Sequence, residues 1–379
     1  MNYARVIRQE LFLSRMHKKP LAFDDISYLD SLRQKEAFAL HIHWDGSIPA
    51  EALFRLAQKR GKVMLLPETN REGQKINYQP QTKRIINSAE KLREFQMRLR
   101  EYSIIDVFAM PIGFMQTKED LNATAVAHCH YLKKQNILYA ESRFAPQYHL
   151  QNGLSLEQVI GYALEGFDKG KEETGVIVRS IICIGREVDG EYSKEIVRAA
   201  LKFQGKVVGI DLACEENGNP PEKHYAAFRM TFGSSLKRTV HAGEMCSKEE
   251  NYRNIQTSLD LLRADGLGHA LQLHERDDLV EKVVERKVRI ESNPISNYNF
   301  FIDNIEDLHL DELVKKGVLV TINPDDPAMW QNGDLAHNLY IVGKLYGDWF
   351  VDAVLKNAVK CAWGLSKKEQ WAHLKKMQL

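Results

Sequence analysis

The chain has 379 residues, with Lys+Arg 52 against Asp+Glu 51 and a net charge of +1. That balance excludes the global basic field of a nucleic-acid binder, so no nucleic-acid partner is expected. Hydrophobic residues make up 44% of the chain, enough to fill one large core.

In chain order, Met1-Asn2-Tyr3-Ala4-Arg5 lacks the apolar centre of a signal peptide, and no apolar run approaches the ~20 residues that span a bilayer. No membrane partner and a cytoplasmic location are expected. Residues 1–35 place Val6, Leu11, Leu13 and Met16 at helical spacing and are expected to form an N-terminal helical extension. An apolar run, 37–40, then leads into His41-Ile42-His43, where the period of two in a strand turns both imidazoles to one face. Ser47 is expected to cap a helix carrying Pro49, Leu53 and Leu56 and ended by Gly61. Residues 62–83, broken by Pro67, Gly73 and Pro80, form a polar insertion, and 89–99 is an amphipathic helix with Leu92, Phe95 and Leu99 on one face.

From there a β-then-α rhythm sets in. Expected strands are 137–144, 176–184, 206–212, 238–242, 266–271, 288–292 and 318–323. Helices are expected at 120–135, from Ser155 with Gln158 as its capping partner, at 193–203 and 223–231, from a Ser247/Glu250 capping box to 262, and at 277–286 and 307–316. With the first strand this makes eight strands alternating with helices, the pattern of an α/β (β/α)₈ TIM barrel. The barrel is assigned to 36–365, with helices from 333 onward and a C-terminal helical tail at 366–379. An open doubly wound sheet has the same rhythm, but neither Gly-x-Gly-x-x-Gly nor a P-loop is present.

In a barrel the chemistry sits at the C-terminal ends of the strands. Those ends here carry His41 and His43, His241-Ala242-Gly243-Glu244, Gly268-His269, Glu291-Ser292-Asn293-Pro294 and Asp325-Asp326-Pro327. Each is ordinary alone, since a histidine after a glycine or an Asp-Asp-Pro suits a turn. Together, candidate ligand histidines and an aspartate make a nitrogen/oxygen set suited to Zn²⁺. The five cysteines (Cys129, Cys183, Cys214, Cys246, Cys361) show no Cys-x-x-Cys spacing and read as free thiols.

With these motifs the chain resembles the adenosine deaminase family of metal-dependent amidohydrolases. The matching stretches are Leu40-His41-Ile42-His43-Trp44-Asp45-Gly46-Ser47, Glu141-Ser142-Arg143-Phe144-Ala145-Pro146, Gly209-Ile210-Asp211-Leu212-Ala213, Thr239-Val240-His241-Ala242-Gly243-Glu244, Leu267-Gly268-His269 and Asn323-Pro324-Asp325-Asp326-Pro327. The resemblance implies a (β/α)₈ barrel with one zinc at its mouth, held by His41, His43, His241 and Asp325. It also implies that Glu244 protonates purine N1, that His269 orients the attacking water, and that Asp325 helps to steer it. Asp326 would bond N7, and Asp45 would take the ribose 5′-hydroxyl beside His43, favouring a free purine nucleoside over a nucleotide.

Three departures bear on substrate. Cys214 stands where the family usually has a glycine whose backbone approaches purine N3, Asn293 replaces a cysteine before proline, and Ala39 replaces a glutamate. The expected activity is hydrolytic deamination of adenosine or 2′-deoxyadenosine. The alternatives are a deaminase of another 6-aminopurine (adenine, an adenine nucleotide or a 5′-modified adenosine) and a non-catalytic nucleoside-binding protein.

Overall fold

The computed structural model describes residues 20–98 and 101–377. Val6, Leu11, Leu13, Met16 and Leu99, expected in helices, lie outside them.

Eight parallel strands form one sheet in sequential order: β1 (Ala37–His43), β2 (Ile137–Phe144), β3 (Ile177–Gly185), β4 (Val207–Ala213), β5 (Lys237–Ala242), β6 (Gly266–His269), β7 (Arg289–Ser292) and β8 (Leu319–Ile322). Between consecutive strands the seams are regular ladders, as in Thr239↔Gly266 and Leu319↔Arg289. The last seam, from β8 back to β1, is made just beyond β8 by the bridge Ile42↔Asp325. There His43 N donates to Asp325 O at 2.9 Å and Asp325 N to His41 O at 3.2 Å. The Asn323 side chain fastens the same seam, its Oδ1 accepting from Leu40 N at 2.8 Å and His41 N at 3.1 Å. The expected (β/α)₈ barrel is therefore the fold, and its closure sits beside the first histidine pair.

Strands covered on both faces read as nearly unbroken apolar runs, and every residue of β4 is buried. Inside the barrel the filling is partly ionic. Arg143 bridges Asp211 (2.7 Å) and Glu291 (2.8 Å), and Arg289 bridges Glu141 (2.6 Å) and Glu291 (2.7 Å). Charges removed from water in this way persist only when paired, because an unpaired one carries a desolvation cost of several kcal/mol.

Several local expectations change. Ser47 is not a helix cap: it lies in the single turn Asp45–Ser47, and the helix Ala50–Lys59 starts after Pro49. Its hydroxyl instead contacts Trp44 O (3.0 Å) and His128 Nδ1 (2.7 Å). The insertion carries a short hairpin, Met64–Leu65 against Ile85–Ile86. The helix from Ala89 ends at Gln96. A helix at Ile104–Phe114 went unexpected because Pro111 sits within it. The helix Pro294–Phe300 was missed behind Asn293-Pro294, and the helix expected at 307–316 is a turn, Ile305–Leu308, followed by Leu310–Lys315. Ser155 and Gln158 form their full capping box, whereas Ser247 contributes the half in which it accepts from Glu250 N. Among the described residues no helix is long and apolar enough to cross a membrane.

Candidate active site

The strand ends bring four histidines together. Ring centroids lie 5.4 Å apart for His41 and His43, 4.6 Å for His41 and His241, and 5.2 Å for His241 and His269. Asp325, at φ +61°, turns its carboxylate among them. Its Oδ1 lies 3.2 Å from His41 Nε2 and 3.4 Å from His43 Nε2, and His43 Nε2 lies 3.2 Å from His241 Nε2. A tetrahedron with bonds of ~2.0–2.1 Å has edges of about 3.3 Å, so these separations suit a zinc-sized ion. The ligand atoms of His41, His241, His269 and Asp325 all lie within 4.8 Å of one another, and those of His43, Asp325 and Asp326 form a second such group. Close packing makes the convergence possible, since a Cβ on Gly268 would stand 3.0 Å from His41 Cε1.

What lies behind each ring distinguishes them. His41 Nδ1 is 3.0 Å from Glu291 Oε2, and His241 Nδ1 is 3.1 Å from Asp211 Oδ1. A carboxylate at Nδ1 holds the ring proton there and turns the Nε2 lone pair inward, the arrangement found behind metal-bound histidines. His41 Nε2 is buried with no hydrogen-bond partner. Burial disfavours the Glu291 charge, but Arg143 and Arg289 outweigh it and hold the carboxyl well below its ordinary range. Burial keeps His241 neutral by lowering its pKa to about 4. His269 differs, because its Nδ1 is 2.7 Å from a neutral acceptor, Asn297 Oδ1. Arg143, Asp211 and Glu291 lie in motifs quoted from the sequence, yet no spacing rule gave them a role. Asn297 lies on the helix Pro294–Phe300.

Four carboxyl groups face the cleft. Glu244 Oε1 is 3.4 Å from His269 Nε2. Burial raises its pKa to about 7, with His269 opposing and Asp325 and Glu216 adding to the rise. Burial also works against the Asp325 charge, but the adjacent His41 and the other histidines hold that carboxyl well below its usual range. Asp326 is pushed the other way by burial and then by Asp325, Asp45 and Glu244. Adjacent carboxyls are thus pushed in opposite directions, Asp325 toward the anion and Asp326 toward the acid. Asp45 is 5% exposed, its Oδ1 has no partner, and burial lifts its pKa to about 6.

Cys214 stands at φ +74°, the left-handed backbone that glycine adopts freely, and its Sγ lies 3.3 Å from Tyr148 Oη. Asn293 donates from Nδ2 to Glu291 O at 3.3 Å, and Ala39 is fully buried.

The family model described as "Adenosine deaminase" matches residues 37–377. An adenosine deaminase of Clostridium kluyveri is 30% identical over 325 residues, covering 85% of this chain and 87% of that protein. An adenine deaminase of Zymomonas mobilis is 30% identical over 304 residues, covering 80% and 82%. The crystal structure of an adenine deaminase from Arthrobacter aurescens superposes with a TM-score of 0.75 at 23% identity, over 91% of this chain and 98% of that one.

Proposed function

The chain belongs to the adenosine deaminase family and is a hydrolytic purine deaminase; from that premise we propose that it converts adenosine or 2′-deoxyadenosine to the 6-oxo nucleoside and ammonia with one zinc ion. The observation that carries this reading is the meeting of inward-turned histidine nitrogens and the Asp325 carboxylate beside the buried Glu244 carboxyl, 3.4 Å from His269 Nε2. His41, His43, His241 and Asp325 would hold the metal. When bound, the ion supplies a Lewis acid that makes water a nucleophile near neutral pH.

The protein's own groups do the rest. Glu244, kept as an acid by burial, donates to ring N1, so that the C6 carbon accepts the attacking oxygen. His269 orients the attacking water through Nε2, its other nitrogen being fixed by Asn297. Asp326, whose carboxyl burial pushes toward its acid form, hydrogen-bonds N7. Asp45 Oδ1, a buried acceptor lacking a donor, takes a hydroxyl of the sugar. The backbone N–H of Cys214 faces N3. All five cysteines are free, which fits a cytoplasmic location.

A second reading, a deaminase of free adenine or another 6-aminopurine, is favoured by the Cys214 side chain at the base pocket and by the similarity to adenine deaminases. Turnover of adenosine, 2′-deoxyadenosine, adenine and AMP by the zinc-loaded protein separates the two. Preference for adenine would move the assignment to the second reading, and no turnover of any would defeat both.

A further inference from the structure

The loop that presents Glu244 is tied from below by one buried carboxylate that the motif reading left without a role. Glu216, 1% exposed, follows Cys214 at the mouth of β4. Its Oε1 accepts from Gly243 N at 2.9 Å and Asn254 Nδ2 at 2.9 Å, and its Oε2 from Glu244 N at 2.9 Å and Met245 N at 3.1 Å. Three successive amides converge on one anion because Gly243 takes φ +76°, curling the backbone into a concave anion nest. Arg186, fully buried, closes the clamp: it donates to His241 O at 2.5 Å and lies 3.7 Å from Glu216 Oε1.

We propose that Glu216 is a positioning residue for the deamination, holding the Gly243–Met245 backbone so that the Glu244 carboxyl can only project into the cleft toward His269. A carboxylate has about four lone-pair positions, and here each has a donor. With the Glu244 amide pinned to Glu216, its side chain leaves on the opposite side, where Oε1 lies 3.4 Å from His269 Nε2. Rotation of that backbone by one peptide would withdraw the acid from N1 while leaving the metal ligands on their strands. Arg186 ties the clamp to the His241 carbonyl, so acid and metal site share one reference frame. The inference rests on the deaminase reading above.

The test is a double-mutant cycle on the zinc-loaded enzyme. Glu216→Gln places an N–H₂ against N–H donors and is expected to lower kcat by roughly 100-fold, with KM and zinc content unchanged. In a Glu244→Gln background the same substitution is expected to cost no more than about threefold, because residues acting as one unit are non-additive. Glu216→Asp, which keeps the charge but withdraws it by one methylene, should give an intermediate kcat and serves if Glu216→Gln does not fold. A wild-type kcat in Glu216→Asp or Glu216→Gln would overturn the proposal. So would additive losses, loss of zinc, or failure of both variants to fold. A wild-type chain inactive on every purine would instead defeat the deaminase reading and leave the clamp geometry as it is.

Discussion

Asp211 accepts the Nδ1 proton of His241 at 3.1 Å while its other oxygen takes a 2.7 Å hydrogen bond from Arg143. The same guanidinium reaches Glu291, which accepts from His41. One buried arginine therefore holds two carboxylates that each fix a ring. Asp211→Asn removes the charge but keeps the shape, and should weaken zinc binding by roughly 10- to 100-fold, read by competition with a chelator. Unchanged affinity would mean that Asp211 does not tune His241.

Glu244 ought to be separable from the metal. Glu244→Gln should lower kcat by ~10²–10⁴ with zinc content intact. Because burial raises the Glu244 pKa to about 7, the acid form is lost as pH rises through that value. The wild-type rate should therefore fall on the alkaline side, and Glu244→Gln should lack that limb. An identical limb in both proteins would assign it elsewhere.

Gly268 makes a steric prediction. A Cβ there would meet His41 Cε1 at 3.0 Å and stand 3.4 Å from the His241 backbone. Gly268→Ala should push the His41 ring off its position, costing ~1–3 kcal/mol in stability and reducing zinc affinity. Calorimetry and metal titration measure the two effects; neither changing would show that the ring has room to move.

Acid should destabilise the fold through histidines that burial holds neutral. His128, between Ser47 and Ser142, is held neutral by burial with its pKa lowered to about 3, and burial likewise lowers His149 and His224 to about 4. Their unfolded values lie near 6.5, so below that pH the unfolded chain binds protons that the native chain refuses. Stability should fall as pH drops from about 6.5 toward 4, by up to ~1.4 kcal/mol per pH unit for each such group. His128→Gln should show a shallower slope in chemical denaturation at pH 4.5–6.5, and an unaltered slope would refute the assignment.

The barrel was legible because strands buried on both faces announce themselves as apolar runs between capped helices. The histidines and aspartates at their ends were legible because barrel geometry says where to look. Pro111 concealed a helix, and Asn293-Pro294, which looked like a strand end, opens the helix carrying Asn297. Arg143, Asp211, Glu216 and Glu291 escaped assignment for a different reason. Apart from Arg289, two residues from Glu291, the partners of their side chains lie 27 to 250 residues away along the chain, and long-range hydrogen bonds leave no periodicity. The left-handed backbone at Cys214 and Asp325 is likewise a product of the folded mouth, not of residue type.

One zinc ion is proposed to sit among four side chains, those of His41, His43, His241 and Asp325. Anomalous diffraction at the zinc edge from crystals of the zinc-loaded protein tests it most directly. The prediction is a single peak ~2.0–2.2 Å from the Nε2 atoms of His41, His43 and His241 and from the Asp325 carboxylate. A peak bound by His269 in place of His43, or no peak at the barrel mouth, would contradict it.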